Sequence, residues 1–371
     1  MPDDSAQGTE TRLRRLAPDE PSNWPEALTQ PATFTTLDAW SQTVQRIYKY
    51  PIYRFETEIE GSVTGILALT HVRHPIFGNY LTTSPFGSYG GFAFCSTESR
   101  DLLLAETRLL AAELGVEYVN IRWADAAAVL EPALSAVLEP TLSQLPVPPG
   151  WLQHPIYATY LLDLDANPEN LLPNFSSDHR NHIRKSMKKG FIVKFGHLDL
   201  LDDAYEALSR SMHELGSPYH AKEYLRALAA SLGDTLEFAV LYTPDGKLAG
   251  AGVFITHSRV VTNLHANILR KFRTDYAGEF LYWKVIERYC QKNYTVFDIG
   301  RSLLGSGNET FKMKWKPRKE MLAYWYAIKP GAELPALNQK NPKFALAISV
   351  WKRLPAWLVR WLGPFLIRGL A

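Results

Sequence analysis

A basic segment in the middle of the chain carries cations that suit an anionic substrate. Residues 168–190 are predicted to form a helix, and no acidic residue lies between 179 and 195. Its cations Arg180, Arg184 and Lys188 are four residues apart, so on a helix they share one face. Such a face can bind a phosphate of a nucleotide, of a lipid carrier or of a tRNA backbone. An ordinary solvated helix face is the alternative.

A second candidate for anion binding follows a strand that is predicted at residues 295–299. Arg301 and Ser302 come just after this strand, at the start of a glycine-rich loop. Ligands often bind at strand ends, and a guanidinium can hold phosphate or carboxylate through two parallel hydrogen bonds. The alternative is a structural ion pair between Arg301 and Asp298.

Candidates for a proton acceptor lie in the same half of the chain. His265 and Asn263 alternate on one face of a strand predicted at 260–266, where the histidine can act as a general base near neutral pH and the asparagine is a candidate for substrate binding. Asp275 and Glu279 flank the start of the next predicted helix and are further candidates. The alternatives are a histidine packed in the core and acids that the helix dipole favours.

The first half of the chain offers one aromatic candidate. Tyr89 lies in a glycine-rich loop, in the segment Ser88-Tyr89-Gly90-Gly91. The glycines next to it allow close approach, so Tyr89 is a candidate for lining an acceptor cleft. A tight turn around a buried tyrosine is the alternative.

The predicted elements repeat in the two halves of the chain. Residues 52–123 are predicted as strand, turn, strand, strand, loop, helix and strand, and residues 237–299 follow the same order. The first hairpin of each half carries a glycine pair with the same spacing, starting at Gly61 and at Gly246. The sequence therefore predicts an internal duplication of an α+β half-domain.

These patterns divide the chain into four segments. The first is a proline-rich leader that is expected to be mostly irregular, and the last is a basic amphipathic tail. The segments are 1–33 for the leader, 34–150 for the N-terminal half with an Ala/Pro-rich connector, 151–335 for the C-terminal half, and 336–371 for the tail.

Composition excludes several classes of protein. The chain of 371 residues is 46% hydrophobic and 21% charged, which is typical of a globular rather than a disordered protein. Two cysteines cannot form a disulfide scaffold or a cysteine-rich zinc site. Histidines such as His74, His154 and His220 lack ligand spacing, so no metal site is predicted. The net charge of +2 does not call for DNA, and no signal peptide or membrane-spanning run is visible, so a cytoplasmic protein is expected.

Several short motifs, taken together and in order, resemble those of the FemAB family. They are YGG (89–91), HRNHIRK (179–185), EFLYW (279–283), FDIGRS (297–302) and FKMKW (311–315). The resemblance covers roughly residues 40–330, and the tail is similar as well. The branch it is most similar to is the one associated with the exosortase/PEP-CTERM system.

The resemblance implies two GNAT-like (N-acetyltransferase-like) halves in tandem, which agrees with the duplication. It also implies transfer of an acyl or aminoacyl group to a carrier-linked glycan or peptide precursor, in exopolysaccharide or cell-envelope biosynthesis. The co-substrate would be acyl-CoA or aminoacyl-tRNA, with no permanently bound cofactor. The chain has no long helical hairpin of the kind found in some tRNA-using members, so tRNA is the less favoured donor.

The resemblance also assigns roles to residues of the second half. Lys312 stands at the position of the family's Phe-Lys motif, where a lysine stabilises negative charge on the reacting carbonyl. We expect Lys312 and Arg301 on one wall of a cleft, and we expect loss of Lys312 to leave stability nearly unchanged. A solvated lysine is the alternative. Tyr282, within the EFLYW motif, is a further candidate for substrate binding.

One segment departs from the pattern of CoA-binding GNAT enzymes. Those enzymes hold the CoA pyrophosphate with an Arg/Gln-x-x-Gly-x-Gly/Ala loop at a helix N-terminus. The corresponding segment here runs from Arg273 to Gly278, with one glycine and a different spacing. The sequence therefore does not predict a normal CoA cradle.

The tail has the composition of an element that lies on a membrane surface. No acidic residue follows Glu333, and Trp351, Trp357 and Trp361 are interspersed with lysine and arginine. Basic, Trp-rich surface suits an anionic membrane, so peripheral contact with the inner membrane is predicted. Packing of the tail on the rest of the protein is the alternative.

Two functions of other classes stay open. A non-catalytic accessory protein that binds a lipid-linked intermediate would explain the altered CoA segment and the lack of a clear general base. An RNA-binding protein would use the basic helix, but the near-neutral net charge makes it the least favoured reading.

Overall fold

A mixed and mostly antiparallel β-sheet with flanking helices is formed by the residues that the computed structural model describes, 10–124, 146–333 and 345–371. Most of the predicted Ala/Pro-rich connector lies outside these residues, as do the first residues of the leader and of the tail. The strands are β1 (Arg12–Arg15), β2 (Ile52–Ile59), β3 (Ser62–His74), β4 (Gly78–Thr82), β5 (Phe92–Phe94), β6 (Tyr118–Ala124), β7 (Leu152–Gln153), β8 (Tyr157–Asp163), β9 (Ile192–Gly196), β10 (Leu236–Tyr242), β11 (Leu248–His257), β12 (Val260–Ile268), β13 (Val296–Asp298), β14 (Ser302–Leu303) and β15 (Arg318–Ile328).

The α-helices lie on the faces of this sheet. They are α1 (Glu26–Ala32), α2 (Asp38–Tyr48), α3 (Thr97–Glu113), α4 (Ser177–Met187), α5 (Leu201–Leu215), α6 (Lys222–Leu232), α7 (Ala277–Gln291), α8 (Gly307–Met313), α9 (Ala345–Trp351) and α10 (Ala356–Arg368).

The predicted duplication is confirmed at the level of topology. In the first half, β2, β3 and β4 are antiparallel neighbours, and after α3 the chain returns as β6, parallel to β4. In the second half, β10, β11 and β12 repeat the antiparallel order, and after α7 the chain returns as β13, parallel to β12. Gly61 and Gly246 lie in the corresponding hairpins with φ of +78° and +79°, a conformation that favours glycine.

Strand β15 joins the two halves into one sheet. Its first part, Arg318 to Met321, pairs with β8 of the second half, and its remainder, Leu322 to Ile328, pairs with β6 of the first half. The strand order is β1-β2-β3-β4-β6-β15-β8-β13-β12-β11-β10-β9. Because one strand bonds to both halves, backbone hydrogen bonds fix their relative position.

The helices cover the sheet through apolar faces. Leu103, Leu104 and Leu110 of α3 are buried at the helical spacing that the sequence predicts. Between the halves, α2 packs on α6, where Trp40 and Tyr224 are both almost fully buried. Burying side chains of this size contributes about 1.5–3 kcal/mol each to stability. This contact therefore holds the halves together in addition to the strand pairing.

The leader is more ordered than its prolines suggest. Residues 10–33 include β1, which pairs with β2, and α1. Leu16, Trp24 and Leu28 are buried, and Trp24 Nε1 donates a hydrogen bond to Glu56 at 2.8 Å. The expectation of an irregular leader is wrong for this part, because its few apolar residues are buried against the first half.

The predicted basic helix at 168–190 is also divided. Residues Pro168–Asn174 form a 3₁₀ helix, and α4 begins only at Ser177, where Ser176 caps it by accepting a hydrogen bond from the amide of His179. Proline at position 173 cannot donate a backbone hydrogen bond, which explains the break.

The tail packs on both halves. Trp351 is buried, and its Nε1 donates to the carbonyl oxygen of Ser217 at 3.2 Å. In the first half, Arg122 donates to the carbonyl oxygen of Ala371 at 2.7 Å. The described part of the tail therefore packs on the rest of the protein, which is the alternative that the sequence analysis left open.

The same tail leaves apolar side chains in solvent. Trp357 and Trp361 of α10 are 71% and 73% exposed, and Leu346 of α9 is 76% exposed. None of the helices in the described parts of the chain has the length and apolar character needed to cross a bilayer.

Candidate functional site

A buried carboxylate joins the two halves at the end of β13. Asp298 is fully buried and accepts hydrogen bonds from Tyr89 Oη at 2.9 Å, Thr159 Oγ1 at 2.6 Å and the amide of Gly300 at 2.8 Å. Tyr89 comes from the first half, and the other two donors come from the second. Burial raises the pKa of Asp298, while these hydrogen bonds and the charge of Lys312 act against that rise.

Tyr89 is therefore a support and not an open surface. Its side chain is 3% exposed, and burial raises the pKa of its hydroxyl well above the ordinary value. The sequence placed Tyr89 on the wall of an acceptor cleft. Instead, its hydroxyl fixes the carboxylate from which the neighbouring loop starts.

Lys312 holds the same loop from the other side. Its Nζ donates to the carbonyl oxygens of Gly300 at 2.7 Å and Arg301 at 2.8 Å, and the residue is 3% exposed. Burial lowers the pKa of Lys312 to about 7, and the nearby Asp298 opposes this shift. The predicted proximity to Arg301 is found, but the lysine is a buried clamp. Its loss would leave two carbonyls without a donor, at about 1–3 kcal/mol each, so this geometry favours a loss of stability over the unchanged stability expected from the sequence.

Arg301 is the cation that remains available. Its guanidinium donates to Tyr324 Oη at 2.6 Å and lies 4.8 Å from the ring centroid of Tyr157. Among the described residues, no carboxylate lies within ion-pair distance of Arg301, and Asp298 bonds to other donors. The alternative of a structural Arg301–Asp298 ion pair is therefore not found, and Arg301 is instead a half-buried cation beside aromatic rings, an arrangement that suits an incoming anion.

Two polar atoms near this loop have no hydrogen-bond partner in the described part of the chain. One is the buried Oγ of Ser302, and the other is the buried Oδ1 of Asn263. The amide nitrogen of Asn263 donates to Tyr282 Oη at 2.9 Å and to the carbonyl of Ile299 at 3.2 Å. Buried polar atoms of this kind are usually satisfied by a ligand or by water.

Asn263 stands where the sheet opens. The parallel pairing of β12 with β13 ends at Thr262 and Asp298, and the side chain of Asn263 bridges the chains beyond that point. Tyr282, which supports Asn263, is buried, and burial raises the pKa of its hydroxyl. The structure therefore brings Asn263 and Tyr282 together, as a pair within the second half.

His265 lies in a different environment from Arg301. Its ring is 5.5 Å from the rings of Tyr219 and His220, and its Nε2 is buried without a partner among the described residues. Burial lowers the pKa of His265 to about 4. A histidine with such a low pKa is a weak proton acceptor, so these surroundings do not favour the predicted general base.

The predicted acids are also placed apart from the Arg301 loop. Asp275 forms an ion pair with Lys189 at 2.6 Å. Glu279 is buried, 3.5 Å from the amine of Lys314. Both carboxylates stand at the start of α7, where a pyrophosphate would need open amides and no negative charge. The start of α7 therefore does not fit a CoA pyrophosphate.

The structure leaves fewer solvated cations on the predicted basic face than the sequence suggested. Arg180 donates to the carbonyl oxygens of Pro173 and Phe175, so it stabilises the turn before α4. Arg184 and Lys188 are exposed, and Lys188 lies just beyond the end of α4. Two solvated cations remain on the predicted face.

Comparison with known proteins accounts for this architecture. Residues 177–313 match the family model described as an acetyltransferase (GNAT) domain. A structure titled as a tandem GNAT protein from the clavulanic acid biosynthesis pathway is similar with a TM-score of 0.53 and 13% identity, over 88% of this chain and 100% of that one. The chain has a tandem GNAT-like fold.

A second similar structure has the same architecture. The crystal structure of FemX matches with a TM-score of 0.58 and 12% identity, over 80% of this chain and 92% of that one. No curated protein matches the chain in sequence. Identities this low show the fold, and the GNAT-like halves predicted from the sequence are confirmed.

Several residues of the site were missed by the sequence. Tyr157, Thr159 and Tyr324 lie within strands and have no motif of their own, and Ser88 contributes through its backbone as well as its hydroxyl. Tyrosines at alternating positions of β15 were the only available signal, and that pattern is common in strands that pack on a core.

The half-buried His265, whose Nε2 is shielded from solvent, predicts a loss of stability in acid. The unfolded chain protonates this histidine below about pH 6.5, whereas the folded protein does so only near pH 4. Stability present above pH 6.5 is therefore lost as the pH falls towards 4, at about 1.4 kcal/mol per pH unit. The free energy of unfolding, measured with urea, should be lower at pH 4.5 than at pH 7. This decrease should be about 2–3 kcal/mol smaller in His265→Gln than in the wild type.

The matched control is His197→Gln, which makes the same change at a histidine whose side chain is 43% exposed. This variant should keep the full pH dependence. Equal pH dependence in His265→Gln and the wild type would contradict the prediction.

Proposed function

We propose that the protein is an acyl- or aminoacyltransferase whose acceptor is linked to a phosphorylated carrier, as a glycan or peptide precursor of exopolysaccharide or the cell envelope. The observation that carries this proposal is Arg301, a half-buried cation without a carboxylate partner in the described residues, placed where the two GNAT-like halves meet. A planar guanidinium in such a place can bind phosphate through two hydrogen bonds.

The surroundings of Arg301 support binding of a carrier phosphate. Tyr157 and Tyr324 flank the guanidinium, which reduces competition from water and strengthens a charge interaction. The backbone of Arg301 is held by Lys312 and, at 3.4 Å, by Ser88 Oγ of the first half. The cation is thus oriented before substrate binds, which lowers the entropic cost of binding.

The chemistry that fits this site is acyl transfer in which the protein mainly positions the reacting groups. An amine or hydroxyl of the acceptor attacks the acyl carbonyl, the new bond forms, and the leaving group departs with a proton. The unpaired oxygens of Ser302 and Asn263 can orient the attacking group, while Arg301 holds the carrier phosphate. The donor is an activated acyl or aminoacyl group, with acyl-CoA or aminoacyl-tRNA as the two classes, and an acyl-CoA would have to place its pyrophosphate away from the start of α7.

The binding step predicts a specific loss in Arg301→Gln. Because charge-assisted hydrogen bonds are worth about 1.5–3 kcal/mol, affinity for a phosphate-linked probe should fall about 10- to 100-fold. The probe is uridine diphosphate N-acetylglucosamine, measured by isothermal titration calorimetry. Arg226→Gln, at an exposed arginine of α6, is the matched control and should bind as the wild type does.

Catalysis is tested separately from binding. The wild type is incubated with acyl-CoA or aminoacyl-tRNA and an amino sugar linked to a phosphorylated carrier. The mass of this acceptor is then measured by mass spectrometry. A mass increase by one acyl group that is lost in Arg301→Gln supports the transferase. Probe binding without any product under both donors would favour a non-catalytic accessory protein instead.

We also propose that the tail contacts an anionic membrane surface, which suits a lipid-linked acceptor. Trp357 and Trp361 are four residues apart on α10, so their exposed rings lie on one face. Lys352 and Arg353 are exposed next to this helix. Exposed indoles with neighbouring cations are typical of helices that lie in the interfacial region of a bilayer.

Vesicle binding tests this contact without removing the anchored tail. The double variant Trp357→Ala/Trp361→Ala should lose most of its affinity for vesicles that contain phosphatidylglycerol, as judged by co-sedimentation. Binding of the wild type should weaken with salt without vanishing, because each cation contributes about 1 kcal/mol and salt does not screen the apolar part. Leu109→Ala, at an exposed leucine of α3, is the control. Equal sedimentation of the double variant and the wild type would contradict the contact.

A further inference from the structure

Two histidines and a glutamate form a polar cluster between α4 and α7. His179 and His182 are three residues apart on α4, so both imidazoles lie on the side that faces α7, and Glu279 stands in the first turn of α7. One potential ligand atom from each of the three residues lies within 4.8 Å of the others. The cluster involves none of the hydrogen bonds that hold the Arg301 loop.

The imidazoles of this cluster are not satisfied by the protein. Neither nitrogen of His179, which is 1% exposed, has a hydrogen-bond partner among the described residues, and the same holds for Nδ1 of His182. A buried donor or acceptor that stays unpaired lowers the stability of the folded protein. Three such atoms in one place indicate that a ligand belongs there.

The orientation of His182 is suited to metal binding. Its Nε2 lies 3.3 Å from the carboxylate of Asp178, which places the proton on Nε2 and leaves the lone pair on the buried Nδ1. The ring of Tyr276 stacks on it at 4.4 Å. A carboxylate that holds the far nitrogen of a ligating histidine is a recurrent feature of metal sites.

The ring of His179 is held in place by aromatic neighbours. It lies edge-on to Trp315 at 4.5 Å and to Phe175 at 5.6 Å. Neither of its nitrogens bonds to a described residue, so the nitrogen that does not carry the ring proton has a lone pair open to a metal ion.

We propose that His179, His182 and Glu279 bind a divalent transition-metal ion, with Zn²⁺ as the best match. Two imidazoles and one carboxylate form a ligand set that zinc uses when a fourth position is left for water or substrate. Mg²⁺ and Ca²⁺ prefer sites made of oxygen atoms, so they do not suit this cluster.

One positive charge opposes the ion but does not exclude it. The amine of Lys314 lies 3.5 Å from Glu279 and competes for that carboxylate, and the start of α7 adds a smaller repulsion. The side chain of Lys314 is 38% exposed, so its amine can be solvated when an ion takes the carboxylate. This proposal differs from the sequence expectation of no metal site, because Glu279 is distant in sequence from the two histidines and ligand spacing could not indicate the cluster.

Zinc titration of the whole protein tests the site. After dialysis against a chelator, Zn²⁺ is added in competition with a chromogenic chelator, and Mg²⁺ serves as the hard-ion control. The wild type should bind one Zn²⁺ per chain and melt at a higher temperature with it. His182→Gln and Glu279→Gln should each lose at least 100-fold in affinity, while His197→Gln, the same change at an exposed histidine, should bind normally.

Two surface variants keep the test decisive if a buried variant does not fold. Asp178→Asn changes a residue whose side chain is 78% exposed, and it should weaken Zn²⁺ binding about 10- to 100-fold because it releases the far nitrogen of His182. Lys314→Gln should strengthen binding, because it removes the competitor of the ion. A wild type without stoichiometric Zn²⁺, or unchanged affinity in both His182→Gln and Asp178→Asn, would overturn the proposal.

Discussion

The site that the two halves form together depends on the hydrogen bonds to the carboxylate of Asp298. A fully buried charge is costly unless several donors surround it, and here the donors come from both halves of the chain. Sliding one half against the other would break the hydrogen bond from Tyr89 and leave the carboxylate underbonded. Strand β15 holds the halves through the backbone, and Asp298 sets the loop that follows β13. That loop presents Arg301.

Helix α7 connects this loop with the proposed metal cluster. Tyr282 supports Asn263 at the opening between β12 and β13, while Glu279, nearly one turn earlier, faces the histidines of α4. Trp315 lies against both environments, 5.9 Å from the ring of Tyr282 and 4.5 Å from that of His179. The proposed anion site and the proposed metal cluster therefore share Trp315 as a packing neighbour.

The sequence predicted the repeated topology because strand and helix periods are local properties, and the glycines at 61 and 246 mark equivalent hairpins. It also selected Arg301 and placed Lys312 near it. It did not predict that Lys312 is buried, because burial depends on the carbonyls of Gly300 and Arg301, which only the folded loop supplies. Likewise, the partners Tyr157 and Tyr324 are distant in sequence from Arg301, and alternation within a strand does not indicate which faces meet.

A double-mutant cycle on Tyr89 and Arg301 tests the central claim, that Asp298 couples the first half to the anion site. Affinity for uridine diphosphate N-acetylglucosamine is measured for Tyr89→Phe, Arg301→Gln and the combined variant, each checked by circular dichroism for folding. Tyr89→Phe should weaken binding although its hydroxyl bonds to Asp298 and not to the ligand, and the effect should disappear when Arg301 is already replaced, with a coupling energy of about 0.5–3 kcal/mol. Unchanged affinity in Tyr89→Phe, or strictly additive losses, would contradict the account.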